Sequence, residues 1–154
     1  MEYRFAAAED IHLLVSMRLR FMNLSGTEEN YAVIKENCHS YFERALSAGQ
    51  CDAILAEFRG VCIGTGVIFY YDSVPSTFNP EGKNAYITSM YVEPSHRRQG
   101  VAREMLNRLI RKAGERGYGV IMLSASDMGR PLYEKSGFVS LTRNMLLDTR
   151  KTGE

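Results

Sequence analysis

The chain has 154 residues, 45% of them hydrophobic and 24% charged, the proportions of a domain that buries a real core. Nineteen Lys plus Arg against 18 Asp plus Glu leave a net charge of +1, which argues against wholesale nucleic-acid binding. No apolar run reaches the roughly 18–20 residues of a membrane span, the N-terminal Met-Glu-Tyr-Arg-Phe lacks a signal-peptide core, and Cys38, Cys51 and Cys62 have neither the number of a disulfide framework nor the spacing of a metal site. The expectation is a reduced, cytoplasmic protein with no membrane, nucleic-acid or metal partner.

In chain order, residues 2–6 read as a short edge strand. In residues 10–22, Ile11, Leu14, Val15, Met17, Leu19 and Met22 recur in helical fashion. Ser25-Gly26-Thr27 breaks the pattern. Thr27 then offers an N-cap, with Glu28 and Glu29 in the following turn, for a helix from about 29 to 48. Residues 51–58 and 61–71 are strand patterns joined by Arg59-Gly60, the signature of an antiparallel hairpin. Residues 72–83, with Pro75, Pro80 and Gly82, form a loop of a length that is often functional. Residues 86–92 are the next strand.

After Gly100 comes the clearest helix, with Ala102, Met105, Leu106, Leu109, Ile110 and Ala113 on one stripe and Gly117 as its breaker. Residues 120–123 read as a buried strand. Ser126 or Asp127 caps a short helix running through Tyr133 to about Ser136, and Gly137 stops it. Residues 138–148 read as a final strand or strand pair. Neither a repeat nor a linker interrupts the chain, so one α/β domain over residues 1–154 is expected.

The segment from Met90 to Ala102 carries the most chemistry. A β-branched run ends at Pro94, passes His96, Arg97, Arg98 and Gly100, and opens into the amphipathic helix. A helix N-terminus has unpaired N–H groups and partial positive charge, so cations are disfavoured there. Arg97, Arg98 and Arg103 at this entrance need a cause, and a bound polyanion supplies one. Gly100 lets the backbone approach phosphate oxygens closely. The loop reads as a pyrophosphate site.

Val92-x-Pro94-x-x-Arg97-x-x-Gly100-x-Ala102 resembles the acyl-CoA pyrophosphate loop of the GNAT superfamily of N-acetyltransferases. Leu132-Tyr133-Glu134-Lys135-Ser136-Gly137-Phe138 is similar to that family's second signature. One helix and one strand fit between the two blocks, and the N-terminal helices and hairpin agree, so the resemblance covers nearly the whole chain. It implies a single-domain, mixed, mostly antiparallel twisted sheet flanked by about four helices, with acetyl-CoA as co-substrate. It further implies that backbone N–H groups of residues 98–103 (Arg98, Gln99, Gly100, Val101, Ala102 and Arg103) hold the pyrophosphate. Arg97 and Arg98 add charge-assisted contacts or lie toward the adenosine 3′-phosphate. At Met90, Tyr91 and Val92 the backbone is expected to splay from its neighbour and pair with the pantetheine arm, an N–H near Met90 or Tyr91 polarising the thioester carbonyl.

By the same resemblance, Tyr133 protonates or hydrogen-bonds the leaving thiolate. Many members carry Asn where this chain has Ser126, which reaches less far toward the cofactor. No Cys lies in either motif, so transfer is expected to be direct, to a primary amine of a small molecule or peptide. A homodimer is common in such families.

The general base is less legible. Deprotonating a Lys-like amine at pH 7 costs about 4–5 kcal/mol, an α-amine about 1–1.5. Some members place a Glu at the position of Tyr86. Here the candidates are Glu28, Glu29, Asp72 and, through water, Glu93, or else an already neutral amine attacks directly. Tyr31, Tyr70, Tyr71 and Phe78 are candidate walls of the acceptor groove, and Glu28, Glu29 and Asp72 candidate ammonium partners. A non-catalytic acyl-CoA-binding sensor is the alternative. A nucleotide hydrolase is more distant, because no Gly-Lys-Ser/Thr follows the loop.

Overall fold

Periodicity places the strands and helices of this chain with few exceptions in its computed structural model, which describes residues 1–141 and 143–151. The chain divides into two units, Met1–Ser124 and Ala125–Glu154.

The first unit holds β1 (Glu2–Phe5), α1 (Ile11–Phe21), α2 (Tyr31–Ser47), β2 (Cys51–Phe58), β3 (Val61–Asp72), β4 (Lys83–Val92), α3 (Val101–Glu115) and β5 (Val120–Leu123). The five strands form one sheet in the order β1-β2-β3-β4-β5. Every neighbour pair is antiparallel except β4 and β5, which are parallel because α3 crosses between them. The β2–β3 hairpin turns at Arg59 and Gly60, both at positive φ, as a two-residue hairpin demands.

β2 shows why the central strands read as near-continuous apolar runs. Cys51, Ala53 and Leu55 pack with Leu14, Val15, Leu19, Phe42 and Ala45 of α1 and α2. With a side-chain period of two, Ile54 and Ala56 point to the opposite face, and Leu109 of α3 lies above Gly66, the register partner of Ile54. Met105, Leu106 and Leu109 are fully buried. The α3 stripe also includes buried Val101, while Ala102 and Ile110 are only half-buried.

Polar ties hold the margins. Arg4 forks onto Asp10 at 2.7 and 2.8 Å and also reaches Glu57, joining β1 to the start of α1 and to β2. Asp52 on β2 accepts from Tyr70 of β3 at 2.8 Å and from Arg116 after α3 at 2.8 Å. Burial and that aspartate together push the Tyr70 phenol up.

Several boundaries differ from the sequence reading. Helix α2 starts at Tyr31 because Glu28 does not enter a first turn. Its carboxylate instead accepts from the backbone N–H groups of Ser25 and Gly26 and closes its own loop. β4 starts at Lys83, because the buried Asn84 donates to Ser73 Oγ and Gly82 O and fastens the preceding loop to the strand. β5 is half-buried, as an edge strand must be.

In the second unit, α4 (Arg130–Lys135) follows a turn in which Ser126 Oγ accepts from the Gly129 N–H at 3.2 Å. The final strand expected over residues 138–148 is absent among the described residues, and Thr142 lies outside them. Val139, Leu141, Met145, Leu146 and Leu147 are exposed there. β-propensity alone does not make a strand where no ladder partner satisfies the backbone.

Leu109 packs at the point where α3 meets the middle of the sheet. Leu109→Ala is expected to cost about 2–5 kcal/mol, read as a lowered urea midpoint with an unchanged slope.

Candidate active site

β4 is paired on its two sides over different lengths. Toward β5 the ladder runs from Asn84↔Val120 to Ile87↔Leu123 and stops. Toward β3 it continues to Val92↔Gly64. Residues 88–92 therefore present backbone on one edge without a strand partner among the described residues.

The same stretch contains a β-bulge. Thr88 pairs with Val67 and Tyr91 with Thr65, so Ser89 and Met90 together face Gly66. Ser89 sits at φ 54°, the left-handed region that a residue with a Cβ rarely enters. Gly66 leaves room opposite the bulge for the Met90 side chain, since a Cβ there would meet Met90 Sδ at 2.5 Å and Leu109 Cδ1 at 3.1 Å. A glycine inside a strand pattern signals a bulge or close approach, so the Gly64-Thr65-Gly66 run was the available clue to a feature the sequence reading missed.

Beyond Val92 the chain turns through Pro94, with the Glu93 N–H on Ile63 O at 2.8 Å. Arg98 (φ 59°) and Gly100 (φ 85°) are both left-handed, and α3 begins at Val101 with no side-chain cap. The backbone N–H groups of residues 98–103 have no acceptor among the described residues. This is the bare helix entrance that suits an anion.

The arginines divide the work unequally. Arg97 Nε donates to Val92 O at 2.9 Å and its guanidinium lies 5.9 Å from the Tyr91 ring, so it braces the strand-to-loop turn. Gln99 likewise folds back, donating to Ser95 O at 3.1 Å. Arg98 and Arg103 are exposed and form no ion pair among the described residues.

On the other face of the bulge lies a cavity of about 490 Å³. Arg18 of α1, Met22 just after it, Asn37 and Tyr41 of α2, Phe69 of β3, and Thr88 and Ser89 of β4 are among its walls. Arg18 Nη1 donates to Ser89 Oγ at 3.0 Å and to Thr88 Oγ1 at 3.4 Å. A second cavity of about 620 Å³, lined by His12, His39, Glu43 and Asp52 among others, includes no residue of β4 or of the arginine loop.

The expected acceptor residues do not line the β4 cavity. Tyr70 is committed to Asp52 and stacks on Tyr118 at 4.5 Å. Tyr31 packs against the α1–α2 core, Tyr71 contacts the Phe69 ring, and Phe78 is exposed. Tyr86, at the position where some family members carry Glu, stacks on Phe69 at 5.2 Å. Backbone donors hold the Glu28 carboxyl down at about 2, far too weak a base near neutrality. Glu93 is occupied by Arg20 and by the Tyr91 hydroxyl. Glu29 and Asp72 are exposed and absent from the cavity walls.

In the second unit, Tyr133 contacts Phe138 edge-to-face at 5.9 Å, and burial pushes its phenol above the usual 10. Its hydroxyl has no hydrogen-bond partner among the described residues.

No helix among the described residues is long and apolar enough to cross a membrane. The acetyltransferase (GNAT) family profile matches residues 17–138. A predicted acetyltransferase from Clostridium acetobutylicum, crystallised with acetyl-CoA, is similar at 35% identity and a TM-score of 0.87, over 96% of this chain and 95% of its own. A GCN5-related N-acetyltransferase from Ralstonia eutropha shares 25% identity with a TM-score of 0.84, over 96% and 97%. Glucosamine-6-phosphate N-acetyltransferase from Arabidopsis thaliana, at 17% identity and a TM-score of 0.72 over 97% and 99%, shares the fold. A search of curated proteins finds no match.

Gly100 and Gly114, both in open space, make opposite predictions for one substitution. Gly100→Ala forces a Cβ into the left-handed region and is expected to lower stability by about 1–2 kcal/mol. Gly114→Ala, at a helical position, is expected to raise it by about 0.4–1 kcal/mol. Paired urea titrations measure both signs.

Proposed function

The chain belongs to the acetyltransferase (GNAT) family, and from that premise we propose that it moves the acetyl group of acetyl-CoA directly to the primary amine of a small molecule or peptide. The observation that carries this reading is the free edge of β4 followed, past the turn at Pro94, by the bare entrance of α3, beside which Arg98 and Arg103 form no ion pair among the described residues. An extended amide-bearing arm ending in a pyrophosphate matches both halves. Backbone at Met90, Tyr91 and Val92 pairs with the arm as an added strand would. The N–H groups of Arg98, Gln99, Gly100, Val101, Ala102 and Arg103 take the phosphate oxygens, and Arg98 and Arg103 add charge. Arg97 holds the loop in shape through Val92 O. Ser126 already accepts from Gly129, which leaves its hydroxyl proton free to donate.

In the reaction the amine nitrogen attacks the thioester carbon, the C–N bond forms, the C–S bond breaks, the electron pair leaves on sulfur, and the nitrogen sheds one proton to solvent, from which Tyr133 is reprotonated after it has protonated the sulfur. An N–H of the β4 edge near Met90 or Tyr91 stabilises the developing oxyanion. Tyr133, carried by the Leu132–Phe138 motif, donates to the departing thiolate. A phenol raised by burial stays neutral at physiological pH and is a weaker acid than the thiol that forms. Its contribution is therefore a positioned hydrogen bond followed by uphill proton transfer. Three free thiols, Cys38, Cys51 and Cys62, support a cytoplasmic setting.

The test is CoA release from acetyl-CoA across a panel of amines. Turnover is expected, and Tyr133→Phe should lower kcat by about 10²-fold with acetyl-CoA affinity within twofold. Since burial raises the phenol above 10, the wild-type rate should not fall between pH 8 and 10 on its account. Acetyl-CoA binding with no turnover of any amine overturns the enzyme reading in favour of a sensor. An unchanged kcat in Tyr133→Phe removes the acid role.

A further inference from the structure

Arg18 has no place in the chemistry above, and its surroundings are unusual for a guanidinium. It is half-buried on α1, projects across to β4, and pairs with no carboxylate among the described residues. Only Nη1 is claimed, by the hydroxyls of Ser89 and Thr88. Nε and Nη2 have no acceptor among the described residues, and these form the edge of the guanidinium that grips a carboxylate with two parallel hydrogen bonds. The remaining face lies 5.2 Å from the Phe21 ring, which fixes the plane of the group.

Arg18 is the sole ionised side chain among the cavity's wall residues. Cys38 stays a neutral thiol because burial pushes it up, and Asn37 and Tyr41 are neutral. Apart from the Thr88 and Ser89 hydroxyls that Arg18 holds, the other walls are apolar or aromatic, including Phe42, Phe69 and Met22. A half-buried guanidinium with a free edge and no carboxylate partner is available to one brought by a ligand. The cavity offers one cation, an apolar lining and no acid.

We propose that this cavity is the acceptor site and that it selects amines bearing a carboxylate and an apolar or aromatic body, the carboxylate being held by the free edge of Arg18. This deepens the acetyltransferase reading and rests on it. The bulge makes the link, because the hydroxyls that anchor Arg18 belong to Thr88 and Ser89, beside the Met90 backbone assigned to the thioester. Polycationic acceptors are disfavoured by the same geometry, since no wall carboxylate answers a second ammonium.

Three matched amines test it: L-phenylalanine, L-phenylalaninamide and phenethylamine, compared by kcat/KM with saturating acetyl-CoA. The amide has the more acidic ammonium and so the larger neutral fraction at pH 7.5, which biases the comparison against the proposal. Phenylalanine is nevertheless expected to be preferred over both analogues by about 10-fold or more, the scale of a charge-assisted pair. In Arg18→Gln the ratio should collapse toward one while acetyl-CoA affinity is unchanged, and Arg18→Lys should restore part of it. Calorimetric binding of phenylalanine to the wild-type protein, without turnover, supplies a second readout should Arg18→Gln fail to fold. Parity among the three amines, or a preference for the amide, overturns the inference while leaving the acetyltransferase reading intact. Phenylalanine binding that depends on Arg18, with no acetyl transfer to any amine, preserves the carboxylate site and overturns the enzyme reading instead.

Discussion

One strand must do two incompatible things, and the rest of the first unit follows from how it does them. β4 is paired along its length with β3, yet beyond Ile87 it is released on its other side. A regular strand released in this way would offer an unprotected sheet edge, a template for indiscriminate pairing. The bulge at Ser89 and Met90 breaks the regularity at the point of release. It bends the strand, increases its twist and re-aims successive side chains. Its cost is a non-glycine residue at φ 54°, strain of the kind that persists only where surrounding packing over-determines it.

That packing comes from both faces. Gly66 opposite the bulge leaves room for the Met90 side chain, and Leu109 of α3 closes over the same spot. On the α1 side, Arg18 holds both hydroxyls of the bulge. A single irregularity thus couples the helix that begins at the anion loop to the helix that walls the cavity. The loop is positioned by the same strand, through Arg97 on Val92 O and Glu93 on Ile63 O. The arginine loop and the β4 cavity are thus both set by one stretch of backbone, residues 88–97.

This arrangement also explains what the sequence revealed and what it hid. The uncapped helix entrance at residues 98–103 was legible because a conflict between charge and helix dipole is local: Arg97, Arg98 and Arg103 lie within one turn of a helix start. The α3 stripe was legible for the same reason, as was the hairpin at Arg59-Gly60. The bulge was not, because register depends on which residue of another strand lies opposite. In the sequence Arg18 is one polar residue among several on residues 10–22, and only the crossing of α1 over β4 gives it Ser89 and Thr88 as partners. Tyr70 misled in the opposite sense. An aromatic on a strand next to the long loop suggested a wall, but its hydroxyl is taken by Asp52, 18 positions away in sequence. The strand expected at 138–148 failed because propensity was read where pairing decides.

The absence of a carboxylate from the cavity walls bears on how the amine loses its proton. Transfer needs a neutral nitrogen, and two of the acids expected from sequence, Glu28 and Glu93, are engaged elsewhere, while Glu29 and Asp72 are exposed and absent from the cavity walls. Glu28 is held too acidic by Ser25 and Gly26, and Glu93 is engaged by Arg20 and Tyr91. A base is one way to obtain a neutral amine, and an environment that disfavours the ammonium is another. On the proposed acceptor placement, the apolar lining provides the second through desolvation, and the positive charge of Arg18 adds to it. A carboxylate bound to Arg18 would offset part of that field, so the amine must sit where the lining, more than the charge, sets its protonation. Direct attack by an amine that arrives neutral is then the reading that the walls of this cavity favour.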